Sequence, residues 1–366
     1  MNKLIFKSNL LEQTDRYSKD LSLPDFLYDE NGNFDREATI QMLLSEEYGF
    51  VDADGIQTDV SVLKVREEDE YSGLYAGFCK KHIQYQFTLS KNDRSASFPV
   101  DLFLPATDDA DRPLVVALDF LLDAEKSYCP LEEIMEQDVA VARVLYTDIT
   151  SDNNDFENGV APLLADRTNP HAAGKLAIWA YAASLIGKFM IAEGHVKADK
   201  LFVSGHSRLG KTALLAAALY DDLFAGVHSN NSGCSGVAIS REKGGETIAI
   251  ICKLFPFWFA PKYQEYANRE NEASFDQHYL TALIAPRKLS VATAERDLWA
   301  DTEAQYLSLE AASVIYEKMG VRGLVNAQLM KTGMSSDQGQ IALIMRSGPH
   351  YFSRHDWNFF LNFIKK

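Results

Sequence analysis

The chain has 366 residues, 46% of them hydrophobic and 11% aromatic, enough for a sizeable core in one large α/β domain or two smaller ones. Its formal net charge is −16, from 52 acidic against 36 basic residues. A field of that sign repels nucleic acid phosphates and anionic membranes, so neither is expected as a partner.

The chain opens MNKLIFKSNLLEQTDRYSKD, where Lys7 and Asn9 break the apolar run before it reaches the length of a signal-peptide core. No later stretch has the length expected of a transmembrane helix. The expectation is a cytoplasmic protein, unless a leader has been trimmed away. Residues 1–60 read as an N-terminal extension, with a turn-rich entry (LPDFLYDENGNFD) and then a helical pattern (REATIQMLLSEEYG). Over 58–104 the segments DVSVLKVRE, HIQYQFTLS and SFPVDLFLP alternate apolar and polar residues, which predicts antiparallel strands joined by polar turns.

From residue 105 to 366 the rhythm changes to short buried runs alternating with helical patterns. PLVVALDF and VAVARVLY precede the helix GKLAIWAYAASLIGKFMIAEG, and the strand KLFVSG precedes the helix LGKTALLAAALY. FAGVHS, the helical HYLTALIA, the strand RKLSVATA, the helix TEAQYLSLEAASVIYEKMG, the strand IALIMRS and the helix WNFFLNFIKK complete the chain. This alternation predicts an α/β fold with a mostly parallel central sheet, helices on both faces and the earlier antiparallel strands at one edge, all in a single domain over 1–366. Cys79, Cys129, Cys234 and Cys252 are scattered without metal-ligand spacing and read as buried free thiols. No metal or other cofactor is expected.

KLFVSGHSRLGKTALLAAAL is the most informative segment. An apolar strand runs into Gly205-His206-Ser207-Arg208-Leu209-Gly210 and a helix of small residues follows. A serine on a sharp strand-to-helix turn is exposed at the top of a sheet, the nucleophile elbow of α/β-hydrolases. The helix N-terminus behind it favours developing negative charge. Leu209 stands where the second glycine of G-x-S-x-G is expected, and Gly210 comes one place late. Gly210-Lys211-Thr212 echoes the end of a phosphate loop, but Gly205 lies one place too close for that motif.

A serine hydroxyl needs a base, and in this fold the order along the chain is serine, acid, histidine. The base should follow the last strand, where Gly348-Pro349-His350 occurs. His355 sits nearer the final helix and reads as a surface or capping residue. The acid should follow RKLSVATA, where Glu295, Asp297 and Asp301 are offered. Asp297 is a short turn past the strand end, whereas Asp301, just before Thr302, fits a helix N-cap. Asp297 would orient the imidazole and stabilise the imidazolium.

With these residues in place, the chain resembles the glucuronoyl esterases, carbohydrate esterase family fifteen, and its bacterial members most. The resemblance runs from about residue 170 to the C-terminus through KLAIWAYAASL, VSGHSRLGKTALLAAAL, NNSGCSGVAISREKGGETI, FPFWF, SFDQHYLTALIAPRKLSVATAERDLWAD and RSGPHYFSRHDWNFFLNF. It implies Ser207 as nucleophile, His350 as base and Arg208 as a guanidinium at the oxyanion. It also implies that Lys211, Glu246 and Trp299 contact the sugar. Many members carry a glutamate immediately before the Ser-Gly-Cys segment as the triad acid. Here that place is Asn231, so the resemblance moves the role to Asp297.

The implied reaction is hydrolysis of an ester of glucuronic or 4-O-methylglucuronic acid through an acyl-enzyme, with a small-molecule or oligosaccharide uronate ester as the partner. Two other readings share the sequence evidence. One is a deacetylase of acetylated sugars or a general carboxylesterase. The other is an inactive carbohydrate-binding homologue.

Overall fold

A computed structural model of the chain describes residues 3–5, 16–17, 21–67, 77–107, 111–120, 129–241, 244–325 and 331–366. Most of the N-terminal run read above for a signal core lies outside the described residues, as do positions 242 and 243 of the NNSGCSGVAISREKGGETI block.

The strands in chain order are β1 (Lys3–Ile5), β2 (Ser22–Pro24), β3 (Gln57–Glu67), β4 (Cys79–Lys91), β5 (Arg94–Pro105), β6 (Leu114–Asp119), β7 (Ala140–Leu145), β8 (Leu201–His206), β9 (Gly226–Asn230), β10 (Lys288–Ala294), β11 (Ser335–Ser336) and β12 (Ile341–Arg346). β1 and β2 pair with each other. The other ten form one sheet in the order β11-β12-β10-β9-β8-β6-β7-β5-β4-β3. From β7 to β12 the neighbours β7-β6, β6-β8, β8-β9, β9-β10 and β10-β12 are all parallel. β5, β4 and β3 continue the sheet antiparallel from β7. The expected α/β architecture, with its antiparallel strands at one edge, is the observed one.

The parallel strands are buried at all but at most two positions each because both faces are covered, which is why most of them read as largely apolar runs. Helix Lys175–Ala192 covers one face and packs on helix Arg208–Leu219. Helix Arg354–Ile364 covers the other, setting Trp357, Phe360 and Leu361 against Val115, Val141 and Phe202. Helix Lys175–Ala192 corrects one expectation. By length and composition it could cross a membrane, but two thirds of it is buried. It is apolar nearly all round because it is a core helix.

β3 departs from the half-buried strand that its alternation predicts. It is the last strand of the sheet and is exposed almost throughout, with Val62 57%, Leu63 52% and Val65 41% accessible. A register shift between Val62 and Lys64 interrupts its ladder with β4, as bulges often do on edge strands. Helices Leu131–Glu136 and Ile248–Leu254 and the short 3₁₀ turns over 256–266 were not legible as periodic segments. All four cysteines are free thiols, with Cys79, Cys234 and Cys252 buried and Cys129 partly so.

In a parallel sheet of this kind ligands sit beyond the carboxyl ends of the strands. There β8 delivers Ser207, β9 delivers Asn230 and Asn231, β10 delivers Asp297 and β12 delivers His350.

Candidate active site

Ser207 leaves β8 at φ 58°, ψ −125° and caps helix Arg208–Leu219. A non-glycine residue in that region is strained, and such strain persists only where the surroundings over-determine it. Here Ser207 N donates to Asn230 O at 2.8 Å, and Ser207 O accepts from Lys211 N at 3.0 Å. The turn is so tight that a Cβ on Gly205 would lie 2.2 Å from Leu209 O. A Cβ on Gly210 would lie 3.1 Å from Asn230 O and from Gly205 O. Leu209 is fully buried in the core. This accounts for the displaced glycine: the close approach occurs at position 210, and position 209 points into the hydrophobic interior.

The loops after β10 and β12 run side by side. Glu295 N donates to Arg346 O at 2.9 Å and Arg296 N to Gly348 O at 3.0 Å. They bring Asp297 and His350 together: His350 Nδ1 donates to Asp297 Oδ2 at 2.6 Å. Asp297 is 4% exposed and also accepts from Asn231 Nδ2 at 2.6 Å and from Ala300 N at 3.2 Å. Burial alone would raise its pKa. The hydrogen bond and charge of His350, with the Asn231 and Ala300 donors, outweigh burial and hold it below the ordinary carboxylate value. The anion is thus the stable form, and His350 presents its Nε2 away from it.

The His350 ring lies 4.4 Å, centroid to centroid, from that of His206, the residue before Ser207. Among the described residues no hydrogen bond joins the Ser207 hydroxyl to His350. His206 Nδ1 donates to Asn230 Oδ1 at 2.6 Å. Burial, then the neighbouring His350, push its pKa down to about 3, so it stays neutral.

Arg208 is the first residue of the helix behind Ser207. Its guanidinium is layered on Trp258, Phe255 and Phe120, with 4.7, 5.3 and 5.7 Å to the ring centroids. Its Nη1 pairs with Asp152 Oδ2. The same carboxylate accepts from Trp258 Nε1 at 2.7 Å and Tyr146 Oη at 2.8 Å. Arg208 Nε is buried with no hydrogen-bond partner among the described residues. One N–H of a fixed cation is therefore left to donate beside the elbow.

Lys211 and Glu246 are brought together, but in the interior rather than in an open pocket. Lys211 is 2% exposed; its Nζ donates to Glu246 Oε2 at 2.8 Å and to the carbonyls of Ser232 and Cys234. The other Glu246 oxygen accepts from Trp299 Nε1 at 3.0 Å. Trp299 alone of the three is open, at 42% exposure, beside Leu298 at 76%. Asp301 caps helix Thr302–Lys318 through Ala304 N and pairs with Arg16 at 2.6 Å, away from His350. His355 is exposed on the final helix.

Sequence reasoning missed Asp152, His206, Asn230 and Arg346. A usable signal existed for two of them. Asp152 follows β7 by a few residues, at the same sheet edge, and His206 adjoins Ser207.

The profile described as "Glucuronyl esterase, fungi" matches residues 87–320. The chain belongs to the glucuronyl esterase family. It is 34% identical over 237 residues to carbohydrate esterase MZ0003 of an unknown prokaryotic organism, covering 64% of this chain and 54% of that one. It is 30% identical over 159 residues to the 4-O-methyl-glucuronoyl methylesterase of Podospora anserina, covering 41% of this chain and 33% of that one. The chain thus spans about half or less of the length of these curated relatives.

Among solved structures it superposes on a glucuronoyl esterase from Solibacter usitatus with a TM-score of 0.81 and 26% identity, covering 94% of this chain and 97% of that one. A Sporotrichum thermophile glucuronoyl esterase solved in complex with methyl 4-O-methyl-β-D-glucopyranuronate shares the fold (TM-score 0.63, 19% identity, covering 94% and 86%). The α/β-hydrolase fold is therefore that of the family. Membership also corrects the expected cytoplasmic location. The relatives named 4-O-methyl-glucuronoyl methylesterase and the glucuronoyl esterase catalytic domain from Hypocrea jecorina stand against it.

Proposed function

We propose that this glucuronyl esterase family member hydrolyses esters of glucuronic acid, 4-O-methylglucuronate included, by acyl transfer through Ser207, His350 and Asp297. The observation that carries the reading is the 2.6 Å bond from His350 Nδ1 to a buried, ionised Asp297, on the loops that flank the strained elbow of Ser207. Membership of the family and the substrate ester in the Sporotrichum structure support the substrate class.

In the proposed cycle His350 Nε2 takes the Ser207 proton as the hydroxyl attacks the C6 carbonyl. The contact between them tightens when substrate enters. Asp297 stabilises the resulting imidazolium. The oxyanion is held by Arg208 and by the backbone N–H that follows the nucleophile, both at a helix N-terminus whose first N–H groups have no intrahelical partner. The leaving alcohol takes the proton from His350. Water then attacks the acyl-enzyme by the same route, returning Ser207 and releasing the uronic acid. Trp299 offers the sugar an open aromatic face, oriented by Glu246, which Lys211 holds in turn.

The test is hydrolysis of benzyl glucuronate by the wild-type chain and by Ser207→Ala, with methyl glucuronate, acetylated xylo-oligosaccharide and p-nitrophenyl acetate compared in parallel. Uronate esters should be preferred, and the variant should lose about 10⁶ in kcat. Hydrolysis of methyl glucuronate by Ser207→Ala at the wild-type rate overturns the mechanism. Preference for acetylated xylan overturns the substrate class. Labelling of Ser207 by a fluorophosphonate separates an active esterase from an inactive homologue.

A further inference from the structure

Arg346 is the last residue of β12 and is 6% exposed. Its guanidinium serves the loop that carries His350. Nη1 donates to Ser347 O at 2.9 Å, and Nη2 donates to Pro349 O at 3.2 Å and to Tyr351 O. Three alternate carbonyls therefore converge on one cation. With 347, 349 and 351 turned inward, the intervening Gly348 carbonyl is free to accept from Arg296 N, which ties the loop to that of Asp297. The His350 side chain is left on the open side, 39% accessible, against Asp297.

The cation is itself anchored. Nε donates to both oxygens of Asp356, at 3.0 and 2.8 Å, and Asp356 is fully buried. Asp356 is fixed in turn by Ser353 N and Ser353 Oγ, each at 2.8 Å. Gly348 completes the cradle: its φ is +109°, and a Cβ there would lie 2.9 Å from Arg346 Nη1. A guanidinium suits this task because its donors are held in a rigid plane, whereas a lysine ammonium offers a single point on a flexible stem.

We propose that Arg346, anchored by Asp356, is a positioning residue for His350. It sets the loop so that Nδ1 meets Asp297 and Nε2 faces the nucleophile, and it touches no substrate. The inference rests on the reading of Ser207 and His350 as nucleophile and base.

The test uses Arg346→Lys and Gly348→Ala, with His350→Ala as reference, in the full chain. Gly348→Ala matters because it disturbs the cradle from the exposed side and leaves the buried ion pair in place. Two quantities are read: kcat and KM on methyl glucuronate, and the low-field proton resonance of His350 Nδ1–H. Both variants should lower kcat by about a hundredfold, the cost of a misplaced catalytic group, with KM unchanged. The resonance should shift or vanish in both. A folded variant of either kind with wild-type kcat, with a wild-type resonance, or with its loss expressed in KM overturns the proposal. If Arg346→Lys does not fold, Gly348→Ala decides. Full activity in His350→Ala sinks the underlying reading instead, whatever the other two variants do.

Discussion

Asp297 Oδ2 accepts two hydrogen bonds of 2.6 Å, one from His350 Nδ1 and one from Asn231 Nδ2. The carboxylate comes from the loop after β10 and the amide from the end of β9, so the two loops meet on one oxygen. An amide at 231 is compatible with an anion at 297. A second carboxylate there would stand against it, and one of the two would have to be protonated.

The loss of Asp297 should therefore be severe. Asp297→Asn is expected to lower kcat about 10⁴-fold, because an amide cannot stabilise the imidazolium and can favour the wrong tautomer. Moving the charge back to the other loop, as Asn231→Glu combined with Asp297→Asn, should recover part of the loss. Steady-state kinetics on methyl glucuronate checks both. A near wild-type kcat in Asp297→Asn, with activity abolished by Asp301→Asn or Glu246→Gln, places the acid elsewhere.

Asp152 should matter through Arg208. Its carboxylate collects Arg208 Nη1, Trp258 Nε1 and Tyr146 Oη, so removing it frees the guanidinium from its stack. Arg208→Ala should lower kcat about 10²–10³-fold, the range for one lost oxyanion donor. Asp152→Ala should cost less than that. In the Arg208→Ala background it should cost nothing further, and a double-mutant cycle in kcat/KM reads this directly. Additive losses would mean that Asp152 acts independently of Arg208.

Lys211 and Trp299 separate stability from binding. The Lys211–Glu246 pair is almost wholly buried, with side-chain exposures of 3% and 6%. Lys211→Ala leaves a buried carboxylate without its cation and should cost about 3–5 kcal/mol in denaturant unfolding. Trp299→Ala, at an open position, should leave the unfolding midpoint nearly unchanged and raise KM for glucuronate esters. The reverse pattern would make Lys211 the surface contact and Trp299 the structural one.

Gly205 is required by sterics rather than by chemistry. A methyl group there would lie 2.2 Å from Leu209 O and 2.4 Å from Leu209 C, both backbone atoms that cannot step aside without unwinding the first turn of the helix. Gly205→Ala should either fail to accumulate as folded protein or lose more than about 4 kcal/mol of stability. Thermal and urea unfolding of the purified variant measure this, and wild-type stability would show that the elbow is looser than drawn.

The legible parts of this molecule are those whose meaning is local. The parallel strands could be read because burial on both faces demands unbroken apolar runs, as in VVALD and ALIM. The elbow could be read because a tight strand-to-helix turn needs small residues near the serine. Gly348-Pro349 after a strand drew attention to His350 for the same kind of reason.

What escaped depends on partners far away in the chain. Asp152 meets Trp258 106 positions later. Arg346 looks like an ordinary strand-terminal cation until Asp356 and three carbonyls close on it. β3 carries the alternation of a half-buried strand although its place at the sheet edge leaves it exposed. Lys211 was read as a sugar contact through the resemblance, and the sequence does not reveal that Ser232 O and Cys234 O also hold its ammonium.

Stability should depend on pH through two opposed sets of buried groups. His228 and His278 are both fully buried, and burial pushes them down from 6.5 to about 3 and about 4. A histidine with a depressed folded pKa contributes fully above 6.5 and progressively less as pH falls toward its folded value, because the unfolded chain binds the proton first. Glu47 is also fully buried, and burial lifts it from 4.5 to about 7 against the hydrogen bonds from Gln277, Ser235 and Tyr48. Its contribution has the opposite sign. It is complete below 4.5 and is lost as pH rises to about 7. Between 4.5 and 6.5 these two histidines, together with His206, which is likewise pushed down to about 3, oppose one carboxyl, and each proton bound differently is worth about 1.4 kcal/mol per pH unit. Wild-type stability should therefore rise with pH across that interval. Glu47→Gln, which removes the opposing group, should make the rise steeper and raise stability at pH 7 relative to pH 4.5. Urea unfolding at half-unit intervals from pH 4.5 to 8 reads both slopes, and identical slopes in the two proteins would mean that Glu47 is ionised in the folded chain throughout.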